Sequence, residues 1–146
     1  PYEQALVRRG EDGRWWSGSG HFLWLGERSR QLDGAHVAFA AGLANPLGVK
    51  LGTIEADALR RLADFLDPER EPGRLTLIVR MGPEIGSRLP GLMRALRQEG
   101  RAPLWVSDPL HGNTERGGPR KVRQMAAILR EVTGFGWRIV SVAFSA

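Results

Sequence analysis

The sequence predicts an α/β protein built from parallel β/α units, about half of a (β/α)8 TIM barrel, with an open doubly wound sheet as the alternative. Three observations predict it. Short apolar runs alternate with amphipathic helical stretches at a spacing of roughly 25–30 residues per unit. The most continuously apolar run, Leu75–Val79, reads as a parallel strand covered on both faces. The chain has 146 residues, whereas a complete barrel takes roughly 250, so these units supply about half of one.

Residues 1–20 read as an N-terminal arm and residues 21–146 as a partial β/α barrel domain. Residues 2–9 suit a short helix or an extended segment, and the Gly- and Ser-containing stretch from Gly10 to Gly20 suits turn and loop. Trp15 and Trp16 interrupt that stretch and are expected to pack the arm against the body. His21–Gly26 is the first strand candidate. Gln31–Leu43 follows with apolar residues at Leu32, Ala35, Val37, Phe39, Ala40 and Leu43, compatible with a helix that Asn45-Pro46 ends.

Leu47–Leu51 is the second strand. Ile54–Leu66 is the clearest helix, with Ile54, Ala58, Leu59, Leu62, Phe65 and Leu66 on one face and Pro68 beyond its end. After Leu75–Val79 comes the helix Ile85–Gln98, with Leu89, Leu92, Met93 and Leu96 inward and Gly100 as its cap. Pro90 belongs near its first turn or marks a kink. Leu104–Val106 is the fourth strand, Gly117-Gly118-Pro119 a tight turn, Val122–Val132 the last helix, and Ile139–Phe144 a final strand.

Composition narrows the function classes. No run approaches the roughly 18 apolar residues of a membrane span, and the start of the chain lacks a signal-peptide pattern, so a cytoplasmic protein with no membrane partner is expected. Cysteine is absent, which leaves no disulfide, thiolate chemistry or Cys-built metal site within the chain. The net charge of +5 suits phosphorylated metabolites; the basic residues are scattered and not interleaved with aromatics, so no nucleic-acid partner is expected. Of 21 basic residues only Lys50 and Lys121 are lysines. A lysine ammonium shifts its pKa on burial and can give up a proton as well as hold charge, which sets these two apart from an arginine-rich surface.

In parallel β/α proteins, chemistry sits where strands end and loops begin. Four strand-like runs end in Glu27-Arg28, Lys50, Arg80 and the loop Ser107-Asp108-Pro109-Leu110-His111-Gly112-Asn113-Thr114. Two arginines and a lysine converging there make an anion site, since guanidinium forks grip carboxylate or phosphate. Alternatively, Arg28 or Arg80 pairs with Glu27, Asp108 or Asp33. His111 has three readings: metal ligand, general acid/base, or a loop histidine bonded to Asp108. Trp24 is either core or the wall of a pocket. His21 and His36 lack comparable context.

At these residues the sequence resembles the class II 3-deoxy-D-arabino-heptulosonate 7-phosphate (DAHP) synthases. The blocks are Leu23–Val37, Asn45–Gly52, Glu71–Ile78 with Arg80-Met81-Gly82, and Trp105–Thr114, together with Tyr2–Leu6. The resemblance runs to about Phe135. It implies a shikimate-pathway transferase on a (β/α)8 barrel that condenses phosphoenolpyruvate with erythrose 4-phosphate or a related aldose phosphate, using a divalent metal, Mn²⁺ or Co²⁺. It further implies that Arg28, Lys50 and Arg80 hold phosphoenolpyruvate, with Lys50 catalytic, and that Trp24 and Glu27 line the site. His111 would bind the metal, and Lys121 would lie near the sugar phosphate.

The chain departs from the family pattern in several places. Of the family's cysteine, histidine, glutamate and aspartate metal ligands, only the histidine has a counterpart here; Thr53 stands where proline is usual; and the stretch from Gly136 onward is unlike the family. The expectation is therefore a truncated synthase whose site is completed by another copy or a partner chain. The alternative is a non-catalytic phosphoenolpyruvate-binding remnant or a modulator of a full-length synthase.

Overall fold

The computed structural model describes residues 2–117 and 120–134. After a single helical turn, α1 (Tyr2–Ala5), the chain forms an antiparallel hairpin of β1 (Val7–Arg9) and β2 (Trp15–Ser17). The sequence reading had turn and loop in place of β2. The turn between the strands closes on Gly13, whose φ of +77° suits glycine. The Trp residues do less than expected to seat this hairpin: Trp15 is 52% exposed, and Trp16 donates to Asp12 at 3.2 Å. Asn45 does the seating. It accepts from the Ser17 N–H at 2.8 Å and donates to the carbonyls of Ser17 and Gly20 at 3.1 and 3.0 Å.

The body is a four-stranded parallel sheet of β3 (Leu23–Leu25), β4 (Leu47–Leu51), β5 (Leu75–Val79) and β6 (Leu104–Ser107). The strands lie in chain order, β3-β4-β5-β6, with no reversal. A doubly wound sheet reverses its order at a switch point, so this is the order of a barrel segment. Between the strands run α2 (Ala35–Ala41), α3 (Ala56–Leu66) and α4 (Ile85–Gln98). α2 meets α3 and α3 meets α4, as right-handed crossovers of one sense require. No barrel closure is seen among the described residues.

Alternation along the strands divides the sheet into two faces. Leu25, Leu47, Val49, Leu51, Leu75, Leu77 and Val79 turn to the helices and are buried, together with Leu59, Leu62 and Leu66 of α3 and Leu89, Leu92 and Leu96 of α4. The opposite face is built in register layers. Trp24, Gly48, Thr76 and Leu104 form one, and Lys50, Ile78 and Val106 the next. In the first layer a Cβ at Gly48 would stand 2.7 Å from the Phe22 ring, so a larger residue there would displace that ring.

Several boundaries and faces differ from the sequence reading. The helix expected over Gln31–Leu43 is confined to Ala35–Ala41, because Gly34 is extended at its N-cap and Gly42 closes it. Phe65 and Met93, expected inward, are 46% and 42% exposed, on the flanks of the buried stripes. Pro90 lies inside α4, where it has no N–H to bond the preceding turn. Gly100 does cap α4, with φ of +71° and its N–H on the Arg97 carbonyl at 2.9 Å.

After β6 the chain makes a one-turn helix, α5 (Pro109–Gly112). A second hairpin follows, β7 (Thr114–Gly117) with β8 (Arg120–Arg123), and then α6 (Met125–Gly134). The last helix therefore starts three residues later than its periodicity suggests, since Val122 and Arg123 belong to β8. The Gly118-Pro119 part of the expected turn and the Ile139–Phe144 strand lie outside the described residues. Among the described residues, no helix is long and apolar enough to cross a membrane.

Candidate functional site

The carboxyl ends of the parallel strands carry the polar residues. Lys50, next to last in β4, projects from the uncovered face and is about four-fifths buried. Its ammonium stands 4.4 Å from the centre of the Trp24 ring and 3.9 Å from Asp108 Oδ2. Trp24, 57% exposed, is thus not a core residue. Its negative ring face offers Lys50 a weak, displaceable partner.

Asp108 caps α5, accepting from the His111 N–H at 3.2 Å, while Pro109 fills the first helical position. The same carboxylate lies 2.8–2.9 Å from His111 Nδ1. Asp108 therefore fixes the imidazole and leaves Nε2 as the free ring nitrogen. That is the carboxylate–histidine arrangement that orients a metal ligand, and it also satisfies the reading of a loop histidine bonded to Asp108. No group of three His, Cys, Asp or Glu side chains able to hold a metal occurs among the described residues. These residues fit one corner of a metal site and do not enclose one.

The loop that carries His111 is fixed from behind. Glu131 of α6, only 5% exposed, accepts from the Ser107 hydroxyl and from Asn113 Nδ2, the latter at 2.8 Å. From the side, Gly112 lies against Gly82, the residue that opens the loop after β5. A Cβ on Gly112 would stand 2.8 Å from Gly82 N and 3.2 Å from the Arg80 carbonyl carbon. Gly82 itself has φ of +56°, and a Cβ on it would run into the Gly112 carbonyl oxygen. Two glycines thus let the Arg80 and His111 loops touch.

The open cleft bounded by these loops has a volume of about 410 Å³ and is lined by Glu27, Gly52, Thr53, Arg80, Glu84 and His111, among others. Its carboxylates are already engaged. Glu27 bonds Arg30 at 2.6 Å and takes the N–H groups of Gly52 and Thr53 at 2.5 and 3.3 Å. Burial pushes the Glu27 carboxyl up, but the Arg30 guanidinium and the two amides outweigh it and hold the group below its usual value. Glu84 meets Arg88 at 3.4 Å. Arg80, half-buried in the same cleft, makes no ion pair among the described residues.

The structure brings most of the sequence-predicted residues together. Trp24, Lys50, Asp108 and His111 form one chain of contacts, and Glu27, Arg80 and His111 line one cleft. Arg28 is exposed, forms no ion pair among the described residues and is not among the residues lining that cleft. Lys121 lies on β8, in register with Arg116. The sequence reading missed Arg30, Arg88, Asn113 and Glu131. Only Asp108-Pro109, an N-cap residue followed by an N1 proline, signalled the local helix that presents His111.

A parallel sheet in chain order with helices along one face, and a polar, histidine-bearing cleft at its carboxyl strand ends, is the arrangement of a partial β/α barrel. The sequence profile of the class-II DAHP synthetase family matches residues 1–141, and the chain belongs to that family. It is 48% identical over 143 residues to a probable phospho-2-dehydro-3-deoxyheptonate aldolase of Pseudomonas fluorescens, covering 96% of this chain and 36% of that protein. A probable chloroplastic phospho-2-dehydro-3-deoxyheptonate aldolase of Catharanthus roseus is 49% identical over 92% of this chain and 28% of its own length. A phospho-2-dehydro-3-deoxyheptonate aldolase of Streptomyces coelicolor is 48% identical over 92% of this chain and 31% of its own length. The chain thus spans about a third of the length of these curated relatives.

Proposed function

We propose that these residues form the phosphoenolpyruvate-binding part of a DAHP synthase of the shikimate pathway, the site where phosphoenolpyruvate condenses with erythrose 4-phosphate. One observation carries the reading: Arg80 stands in the cleft with no counter-ion among the described residues, while Glu27 and Glu84 are both committed to other arginines. An unneutralised guanidinium attracts a small acid bearing carboxylate and phosphate, and its fork fits either group.

In this reading Lys50 and Arg80 hold phosphoenolpyruvate, Arg28 adds charge from the rim, and Trp24 walls the pocket. C3 of phosphoenolpyruvate attacks the aldehyde carbon of the sugar phosphate, and the new alkoxide takes a proton. Water adds at C2 and inorganic phosphate leaves with the C–O bond electrons. Lys50 is the proton-donating group, set between the Trp24 ring and Asp108. Lys121, on the second hairpin in register with Arg116, would bind the sugar phosphate. A divalent cation, Mn²⁺ or Co²⁺, would take His111 Nε2 with Asp108 behind it and would polarise the aldehyde; its remaining ligands are not among the described residues.

Trp24 and Leu104, 57% and 56% exposed in one register layer, are the reason to propose a cover for that face, from further β/α units or a second copy. Calorimetric titration with phosphoenolpyruvate tests the binding reading, with Lys50→Ala as the control. Binding by the wild type and loss in the variant are expected, and a wild type that binds nothing overturns it. Loss of phosphoenolpyruvate in the presence of an aldose phosphate and Mn²⁺ separates turnover from binding alone.

A further inference from the structure

We propose that Arg30 is a positioning residue of this anion site: with Glu27 it clamps the loop that follows Lys50. The inference rests on the phosphoenolpyruvate reading above for its effect on ligand, and on geometry alone for the clamp itself.

Arg30 is 17% exposed and sits just past the 3-10 turn Glu27–Ser29 that follows β3. A single nitrogen, Nη2, donates both to Glu27 Oε1 and to the Thr53 carbonyl, each at 2.6 Å. Glu27 completes the ring by accepting the N–H groups of Gly52 and Thr53. The loop after β4 is therefore gripped on both polar sides, its N–H groups by the carboxylate and its carbonyl by the guanidinium. A Cβ on Gly52 would stand 3.3 Å from the Glu27 carboxyl carbon and crowd the carboxylate.

The gripped residues begin two positions after Lys50. The backbone of Leu51 between them takes the Arg80 N–H on its carbonyl at 2.8 Å. The clamp thus fixes one peptide run that sets the root of Lys50 on one side and the backbone of Arg80 on the other. Gly52 and Thr53 also line the cleft. Arg30 does not line it, and its charge is spent on Glu27, so it orients the ligand-binding cations without touching ligand. Charge-assisted bonds of this kind are roughly twice as strong as neutral ones, which suits a contact that must hold a loop at a solvent-facing edge.

The test compares wild type, Arg30→Ala and Arg30→Lys by amide hydrogen exchange and by calorimetric titration with phosphoenolpyruvate. In Arg30→Ala, exchange at Gly52 and Thr53 is expected to rise about tenfold or more while the Leu59 and Leu62 amides of α3 stay protected, and phosphoenolpyruvate affinity is expected to fall about tenfold. Arg30→Lys, which again places several donors on one nitrogen, is expected to recover most of both. A purely structural arginine would not give that paired rescue of loop protection and affinity. If Arg30→Ala exposes the α3 amides as well, Arg30→Gln supplies the comparison, keeping the stem and a donor without the charge. Unchanged protection at Gly52 and Thr53 in a folded variant overturns the clamp. Loosened amides with unchanged affinity overturn its role in positioning. A wild type that binds no phosphoenolpyruvate overturns the functional reading while the exchange result still decides the clamp.

Discussion

Lys50 Nζ lies 4.4 Å from the centre of the Trp24 ring, although the two side chains come from adjacent strands and different register layers. The contact crosses diagonally from β3 to β4, since Trp24 is in register with Gly48, two residues before Lys50. With Lys50 mostly buried and the ring partly exposed, the cation–π contact is worth about 0.5–2 kcal/mol, little enough for a bound anion to outcompete it.

Replacing Lys50 removes the charge, and Lys50→Ala is expected to lower phosphoenolpyruvate affinity roughly tenfold or more. Lys50→Arg is expected not to restore it, because a planar guanidinium would stack on the indole and fork onto Asp108 instead of presenting a compact ammonium to the ligand. Trp24→Phe, which keeps a weaker ring face, is expected to cost less than Trp24→Ala. Titration calorimetry on the four variants gives the order directly.

Asp108 serves His111 and Lys50 together, at 2.8 and 3.9 Å. Asp108→Asn keeps a hydrogen-bonding group for the imidazole but removes the negative charge that the Lys50 ammonium approaches. If His111 takes a divalent cation, losing this orienting carboxylate is expected to weaken Mn²⁺ affinity about 10–100-fold, while His111→Ala abolishes that binding. Electron paramagnetic resonance of free Mn²⁺ during titration measures both.

Glu27 ties the stability of the cleft to pH, and the sign follows from its lowered pKa. A carboxyl depressed in the folded state contributes its full stabilisation above the ordinary value, 4.5, and loses it as pH falls through the lower folded value. Urea unfolding of wild type and Glu27→Gln is therefore expected to show a gap of about 1–2 kcal/mol at neutral pH. That gap should be unchanged down to about pH 5 and should narrow only in stronger acid. A gap that widened on acidification would contradict the Arg30–Glu27 clamp.

The sheet was legible in the sequence because a covered parallel strand is a continuous apolar run. Leu47–Leu51 and Leu75–Val79 were read with the same bounds that the structure shows. The two hairpins were not. Val7–Arg9 with Trp15–Ser17, and Thr114–Gly117 with Arg120–Arg123, are only three or four residues long on each strand, too short for a hydrophobic period to mark them. The site divides in the same way. Glu27, Lys50, Arg80 and His111 were visible as charges at strand ends, whereas Arg30 and Glu131 act through partners 23 and 24 residues away in the chain. A surface-type arginine in a turn and a helical glutamate reveal such contacts only once the strands are set side by side.

The approach of Gly82 to Gly112 sets how near the Arg80 and His111 loops come, and it makes the site sensitive to a single methyl group. At Gly82 a side chain meets both a left-handed φ of +56° and the backbone of Gly112. Neither obstacle is the flexible end of a side chain, so backbone must move. Gly82→Ala is expected to destabilise the fold by about 1–3 kcal/mol and to weaken phosphoenolpyruvate binding by pushing Arg80 away from His111. Gly48→Ala is the informative control. Its Cβ would meet the Phe22 ring, which can swing aside, so a smaller loss is expected with the Arg80 and His111 loops undisturbed. Urea denaturation and phosphoenolpyruvate titration on the two variants separate general destabilisation from loss of the loop contact. Equal losses of affinity at matched stability would mean that the Gly82–Gly112 contact does not set the geometry of the cleft.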